Sequence, residues 1–311
     1  MNKISIIGAG MTGATTAHWL AERELADVVL VDVVEGMPQG KALDLLEAMP
    51  IVAKDAEVIG TNDYAATKGS DIIIITAGIA RKPGMSRDDL LKTNAGIVGT
   101  AATETLKYSP DAIYIVLTNP LDTMAYLTMK KTGLPRERVI GQAGILDSAR
   151  MRAFVAMETG VSVENIDCYV LGGHGDDMVP LTRHSNIAGI PLRDYISADK
   201  LNAIVERTRK GGGEIVNLLK TGSAYYAPAA ACTQMAEAIL KDKNLIVPCA
   251  TYMNGEYGLH DMYFGVPVML GEGGMKKIIE YKLDDDEKAM FDKSAAAVKE
   301  VHDALKNVVT F

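Results

Sequence analysis

The chain has 311 residues, of which 48% are hydrophobic and 23% charged, and its formal net charge is −8 at neutral pH. This length is enough for two domains with substantial cores, and the composition is typical of a soluble globular protein. The negative charge disfavours a general nucleic-acid partner, because phosphate binding needs a basic surface. In addition, no apolar run reaches the roughly 18 residues that would span a bilayer.

The amino-terminal residues and the cysteines indicate a cytoplasmic protein. The first strand is predicted to begin at Lys3, which leaves no room for a signal or transit peptide. The three cysteines, Cys168, Cys232 and Cys249, form no C-x-x-C pair and are odd in number. We therefore expect free thiols in a reducing compartment and predict no metal site.

A glycine-rich turn follows the first predicted strand. The apolar run at residues 3–7 predicts a strand, residues 14–21 a helix, and residues 28–31 a second strand that ends at Asp32. A G-x-G-x-x-G turn in this context is the dinucleotide-binding fingerprint, in which the free amides of the helix start receive the pyrophosphate. Its residues are Gly8, Ala9, Gly10, Met11, Thr12 and Gly13. An ordinary glycine-rich loop is the alternative.

The charge of Asp32 bears on the choice of cofactor. It lies 19 residues after Gly13, where a carboxylate would bind the ribose hydroxyls of an adenosine. The same charge would repel a 2′-phosphate. The sequence therefore favours NAD over NADP.

Strands and helices alternate through the rest of the first half. We predict helices at residues 40–49 and 88–107 and from residue 120, with strands at residues 71–76, 112–118 and 139–140. Continuous apolar strands predict a parallel sheet with helices on both faces, which binds ligands at the carboxyl ends of its strands. The residues predicted to line that cleft are Thr76, Ala77, Gly78, Thr118 and Asn119. Turn formation alone would also explain these residue types.

The second half has a different pattern. We predict helices at residues 147–159, 198–219, 227–241 and 285–301, a strand at 167–171, and antiparallel pairs around the turns at 188–189 and 253–255. The three glycines at 211–213 are expected to kink or break their helix, and the acidic run at 284–287 to form a solvated helix start. The predicted fold is α/β: a Rossmann doubly wound parallel sheet over residues 1–144, followed by an α+β catalytic domain with antiparallel strands over residues 145–311.

Two motifs of the second half carry groups suited to proton transfer and carboxylate binding. Asp147 and Arg150 lie in Leu-Asp-Ser-Ala-Arg, and His174 lies 27 residues after Asp147 in Gly-Gly-His-Gly-Asp. An imidazole titrates near neutrality, a carboxylate can orient it, and a guanidinium can bind a substrate carboxylate through two parallel hydrogen bonds. Alternatively, Asp147 and Arg150 pair only with each other on one helix, and His174 is only a turn residue.

A cationic loop follows the strand that ends at Thr76. Residues 80–87 read Ala-Arg-Lys-Pro-Gly-Met-Ser-Arg, so Arg81 and Arg87 place two permanent charges there. The loop leaves the carboxyl end of a cofactor-binding strand, where a lid would begin. A cationic surface loop without function is the alternative.

The motifs GAGMTG with Asp32, ARKPGMSR, LTNPLD, LDSARMR and GGHGDD together resemble those of the lactate/malate dehydrogenase family, in order and spacing from end to end of the chain. The resemblance implies NAD-dependent hydride transfer, which in the tricarboxylic acid cycle interconverts malate and oxaloacetate. It implies His174 as the proton acceptor, Asp147 as its partner and Arg150 as the anchor of the C1 carboxylate of the substrate.

The resemblance also implies roles for other residues. Arg87 would polarise the reacting carbonyl when the loop closes, and Arg81 favours malate, because enzymes that act on lactate generally carry Gln there. Asn94, Leu117, Thr118 and Asn119 match cofactor-contacting positions, with Asn119 also contacting substrate. Ser223 falls where the family lines the substrate pocket, with its role open.

We expect a small-molecule substrate and a homo-oligomer, with a tetramer favoured over a dimer by the resemblance. Two alternatives remain: a dehydrogenase of lactate or another 2-hydroxy acid, and a non-catalytic NAD-sensing or scaffold protein on the same fold.

Overall fold

The computed structural model describes residues 2–80 and 85–310. Six parallel strands of its main sheet come from the first half of the chain, in the order β3-β2-β1-β4-β5-β6. They are β1 (Lys3–Ile7), β2 (Asp27–Val31), β3 (Val58–Thr61), β4 (Ile72–Ile75), β5 (Ile113–Val116) and β6 (Val139–Gly141). The order reverses direction beside β1 and β4, which is the doubly wound arrangement.

Both faces of this sheet are buried. Ile72 and Ile74 of β4 pack into one hydrophobic cluster and Ile73 and Ile75 into another, and none of the four is exposed to solvent. Successive side chains of a strand point to opposite faces, so a continuous apolar run needs a cover on each side. The covering helices of the first half are α1 (Met11–Glu22), α2 (Met37–Ala48), α3 (Arg87–Tyr108) and α4 (Leu121–Thr132). The predicted α/β fold is confirmed.

Three antiparallel strands extend the same sheet beyond β6. They are β12 (Leu245–Asn254), β13 (His260–Gly271) and β14 (Gly274–Ile278). Strand β12 joins β6 through the pair Ala250 and Gly141, and it pairs with β13 along its whole length. The antiparallel pairing predicted at residues 253–255 is therefore confirmed. Strands from before and after the predicted boundary at residues 144 and 145 belong to one sheet. The division of the chain into two domains there stays a prediction.

The remaining elements lie between and after these strands. They are α5 (Gly144–Thr159), β7 (Ile166–Asp167), β8 (Val170–Leu171), β9 (Val179–Pro180), β10 (Asn186–Ile187), β11 (Ile190–Pro191), α6 (Leu192–Tyr195), α7 (Ala198–Leu219), α8 (Tyr226–Leu240) and α9 (Asp285–Val308). The single strand predicted at 167–171 is wrong, because β7 pairs with β10 while β8 pairs with β9 in a separate sheet. Among the described residues, none of the helices has the length and apolar character needed to cross a membrane.

The acidic start of α9 differs from its prediction at one residue. Asp284 caps the helix by accepting from the Glu287 amide at 2.9 Å, as expected of a helix start. Glu287 itself is buried, and its carboxylate accepts a hydrogen bond from Arg183 at 2.7 Å. The prediction of a wholly solvated run is therefore wrong at Glu287. The three cysteines are buried free thiols, as predicted.

The predicted kink at residues 211–213 is also wrong, since α7 runs unbroken through all three glycines. Gly211 is buried, and a Cβ there would lie 2.2 Å from Cδ of Arg150 on α5. Gly213 is exposed, and a Cβ there would meet nothing within 4 Å. At Gly211, the missing side chain therefore lets α7 approach the Arg150 side chain closely.

This difference predicts opposite effects of two substitutions on stability. Gly213→Ala should raise the free energy of unfolding by about 0.5–1 kcal/mol, because alanine loses less backbone entropy in a helix. Gly211→Ala should lower it by about 1–3 kcal/mol, because the new methyl group overlaps Arg150. Denaturant unfolding of both variants measures this, and equal stabilisation by the two substitutions would contradict the proposed close approach.

Candidate active site

The glycine-rich turn between β1 and α1 is shaped by two close approaches. Gly8 has a φ of +112°, and a Cβ there would lie 2.6 Å from the amide nitrogen of Ala77. A Cβ on Gly13 would lie 1.8 Å from the carbonyl oxygen of Gly8. Gly10, by contrast, is exposed, and a Cβ there would meet nothing within 4 Å. The first and third glycines therefore pack the turn, and the second leaves space over the start of α1.

The start of α1 has the features of a phosphate site. No side chain of the described residues caps this helix, so its first amides and the positive end of its dipole are available to an anion. Asp32, directly after β2, accepts from the Ala9 amide at 2.6 Å and the Val34 amide at 3.0 Å, which fixes its carboxylate beside the turn. These groups fit the pyrophosphate and adenosine ribose of NAD.

Lys41 of α2 is part of this turn and was missed by the sequence analysis. Its Nζ donates to the carbonyl oxygen of Ala9 at 2.6 Å, so Asp32 binds the backbone amide of Ala9 and Lys41 binds its carbonyl. Its position in an amphipathic helix gave no signal, because lysine is common on solvent-facing helix surfaces.

The carboxyl ends of β4 and β5 lie together, as predicted for a ligand cleft. Thr76 Oγ1 donates to the Gly8 carbonyl at 3.1 Å, and Thr118 Oγ1 donates to the Ala77 carbonyl at 2.7 Å. Asn94 of α3 is buried, and its side-chain amide donates to the Asn119 carbonyl at 2.7 Å. It also accepts from the Ile79 amide at 2.9 Å. Asn94 thus connects the loops after the two strands. Gly78 and Leu117 lie in the same two loops.

His174, Asp147 and Arg150 form one cluster. The Nδ1 atom of His174 lies 2.9 Å from Oδ2 of Asp147, and Nη1 of Arg150 donates to Oδ1 of the same carboxylate at 3.2 Å. Asp147 is only 2% exposed. A carboxylate can only accept, so Nδ1 carries the hydrogen and Nε2 remains for a ligand. Asp147 therefore both orients the His174 ring and pairs with Arg150, because each carboxylate oxygen has its own partner.

The surroundings of His174 favour its protonated form. Burial disfavours the imidazolium, but the charge and hydrogen bond of Asp147, together with the charge of Asp122, outweigh it, so the pKa of His174 is raised. Arg150 opposes this shift. A histidine with a raised pKa close to a guanidinium is suited to exchange a proton with a bound anion.

Arg150 is held against α7. Its Nη1 also lies 3.5 Å from the Thr208 carbonyl, and its side chain passes along Gly211. Among the described residues, no hydrogen bond involves its Nε or Nη2, which are therefore available to a ligand carboxylate.

Asp122, in the first turn of α4, also belongs to the site and was given no role by the sequence analysis. Its Oδ2 accepts from the backbone amide of His174 at 3.0 Å. Burial raises the pKa of Asp122 to about 6, against the opposing effects of the His174 amide and ring. An acidic residue in the first turn of a helix is common, so the sequence alone did not single it out.

Three other predicted residues, all within the described part of the chain, are exposed and not bonded to this cluster. Arg81 lies outside the described residues. Arg87 is the first residue of α3 and is exposed, as are Asn119 and Ser223. Within residues 2–80 and 85–310, no ion pair or hydrogen bond joins Arg87 to His174, Asp147 or Arg150. The same part of the chain has no group of three or more histidine, cysteine or acidic side chains placed to hold a metal.

Two family models match the chain almost completely. Residues 2–141 match the NAD binding domain of lactate/malate dehydrogenase, and residues 145–309 match its alpha/beta C-terminal domain. A malate dehydrogenase from Roseiflexus sp. (strain RS-1) is 60% identical over 304 residues, which cover 98% of each chain. One from Bacillus cytotoxicus is 59% identical over 305 residues, covering 97% of this chain and 98% of that protein.

Solved structures agree with this assignment. Malate dehydrogenase from Cryptosporidium parvum has a TM-score of 0.96 at 46% identity, covering 98% of this chain and 99% of the other. Lactate dehydrogenase from the same organism, complexed with lactic acid and nicotinamide adenine dinucleotide, has a TM-score of 0.95 at 43% identity, covering 98% of both. The predicted cofactor, NAD, and the predicted family are confirmed. The chain belongs to the lactate/malate dehydrogenase family.

Proposed function

We propose that this protein is an NAD-dependent oxidoreductase that interconverts (S)-malate and oxaloacetate, the reaction of the tricarboxylic acid cycle. The observation that carries the proposal is the single buried carboxylate of Asp147, which bonds both the His174 ring and the Arg150 guanidinium. Bacterial relatives at 56–60% identity over nearly the whole chain bear the name malate dehydrogenase, which supports malate over lactate.

One short segment links the His174 cluster to the loop after β4, which in turn bonds the glycine-rich turn through Thr76. Thr118, after β5, bonds the loop that follows β4, and Asp122, four residues later, bonds the His174 amide. The residues that would hold NAD are the glycine turn, for the pyrophosphate, and Asp32, for the ribose hydroxyls. Held there, NAD would supply the hydride acceptor for C2 of malate.

The role of His174 follows from its tautomer. Because Nδ1–H donates to Asp147, the free Nε2 takes the hydroxyl proton of malate as C2 is oxidised. In the reverse direction His174 must start protonated and give that proton to the carbonyl oxygen of oxaloacetate. The raised pKa of His174 keeps the protonated form accessible near neutral pH.

The two carboxylates of malate need separate partners in a closed site. The Nε and Nη2 atoms of Arg150 suit the C1 carboxylate, and Arg81 suits the C4 carboxylate. Arg87 would approach the reacting oxygen when the loop closes and stabilise the charge that develops there. Asn119, at the cofactor end of the site, would orient substrate. Because the lactate dehydrogenase neighbour shares the fold, the choice of substrate depends on these side chains and not on the architecture.

We further propose a cytoplasmic homo-oligomer, with a tetramer favoured. Free buried cysteines suit a reducing compartment. The large apolar side chains Leu43 and Leu46 of α2, with Ile51 and Val52 in the turn after it, are exposed and would be covered by a second copy. Light scattering of the purified protein gives the number of subunits.

His174→Asn should lower turnover with oxaloacetate at least about 100-fold, because asparagine cannot transfer the proton. Binding of NADH, followed by its fluorescence, should stay within about twofold of the original. The matched control is His260→Asn, an exposed histidine at the start of β13, which should keep normal turnover. Near-normal turnover of the His174 variant would refute the proposed proton transfer.

Arg81→Gln should change the preference between substrates. Loss of one member of a desolvated charge pair costs roughly 2–5 kcal/mol, so kcat/KM for oxaloacetate should fall by about 30-fold to several thousandfold. Pyruvate should gain, because a cation no longer faces its methyl group. The ratio of the two kcat/KM values, from NADH absorbance, is the measurement, with Lys82→Gln as the control that leaves it unchanged. An unchanged ratio in the Arg81 variant would make Arg81 a surface charge only.

A further inference from the structure

The loop that carries His174 is held by three consecutive backbone amides, each bound to a different element. The Gly172 amide donates to the Gly265 carbonyl of β13 at 2.8 Å, and the Gly173 amide donates to Ser294 Oγ of α9 at 3.0 Å. The His174 amide donates to Asp122 Oδ2 of α4 at 3.0 Å. Two of these acceptors are neutral, and the third is a carboxylate.

A carboxylate at this position costs free energy, because the charge is removed from water. Asp122 is only 6% exposed, and its Oδ1 has no hydrogen-bond partner among the described residues. A neutral amide oxygen would accept from the His174 amide equally well without the desolvation cost of a buried charge. Fixing the loop therefore does not explain why the acceptor is charged.

The charged groups around the His174 ring come from two helices. Asp147 and Arg150 face it from α5, and Asp122 faces it from α4. From α9, Lys293 pairs with Asp177 of this loop at 2.8 Å, and Ser294 and Val298 meet its glycines. From β13, Gly265 accepts from the Gly172 amide. Asp147 has the larger effect on the imidazole, the charge of Asp122 acts in the same direction, and the charge of Arg150 opposes both.

We propose that Asp122 is a positioning residue that fixes the backbone of His174 and whose negative charge stabilises the protonated imidazole during turnover. The role rests on the proposed function of His174 as the proton-transfer group. Asp122 contacts the histidine through its backbone amide. Burial raises the pKa of Asp122 itself to about 6, and the charge of each group acts on the ionisation of the other.

Asp122→Asn keeps the shape and an acceptor oxygen but removes the charge. Without that charge the pKa of His174 should fall, so the neutral form needed for malate oxidation appears at lower pH. The midpoint of kcat/KM against pH should therefore move down by roughly 0.5–1 pH unit for malate oxidation. Oxaloacetate reduction is lost as the pH rises, and the midpoint pH of that loss should move down by the same amount.

Ser294→Ala is the matched control, because it removes the neighbouring anchor of the same loop without changing any charge. Its midpoint should coincide with that of the original protein, whatever its effect on the rate. A profile of Asp122→Asn that superimposes on the original would overturn the proposal. So would an equal shift in Ser294→Ala, because the cause would then be a loosened loop.

A second measurement needs neither turnover nor a substitution of Asp122. The protein has 5 histidines, and the NMR signal of His174 in labelled protein is identified by its loss in His174→Asn. We expect its titration curve to deviate from a single step as Asp122 ionises. A curve described by one proton alone would overturn the proposal. Full turnover of His174→Asn would instead refute the proposed function, while the NMR curve would still decide the role of Asp122.

Discussion

The site depends on one buried carboxylate with two partners. Asp147 lies in the first turn of α5, which begins three residues after β6, and its two oxygens bond the His174 ring and the Arg150 guanidinium separately. In a buried environment an unpaired carboxylate would be costly, so each partner offsets part of the free-energy cost of its burial. The same contact sets the tautomer of the histidine and the direction of the arginine. One residue thus fixes the His174 ring and the Arg150 guanidinium relative to each other.

The surrounding elements keep this arrangement rigid from several sides. Ser148, beside Asp147, accepts from the Val170 amide at 2.9 Å, which ties α5 to the strand that leads to His174. The His174 loop is anchored to α4, α9 and β13, and α7 approaches Arg150 closely at Gly211. These contacts join the part of the sheet that follows β6 to the cofactor-binding part. Asp122 of α4, which follows β5, thus connects the His174 loop to the part of the sheet that carries the glycine turn.

Local patterns in the sequence were enough to predict the glycine turn, Asp32 and the His174 cluster, because each is defined by residue type and short spacing. The same holds for the strand Ile72–Ile75, because a continuous apolar run is typical of a parallel strand that is buried on both faces. Features set by distant contacts were not predictable. The need for glycine at position 211 comes from contact with Arg150, which lies 61 residues earlier. The place of Asp122 in the site comes from its hydrogen bond with His174, which lies 52 residues later. The split of residues 166–171 into two strands likewise depends on partners elsewhere in the chain.

The rate of hydride transfer in Asp147→Asn, measured in a single turnover by NADH absorbance, tests the central role of this carboxylate most directly. An amide can accept from Arg150, but its nitrogen cannot accept from Nδ1–H and favours the wrong tautomer of His174. We therefore expect the rate to fall by about 10³- to 10⁴-fold while the Kd for NADH stays nearly unchanged. A rate within about threefold of the original would contradict the account, because His174 would then act without the carboxylate that orients it.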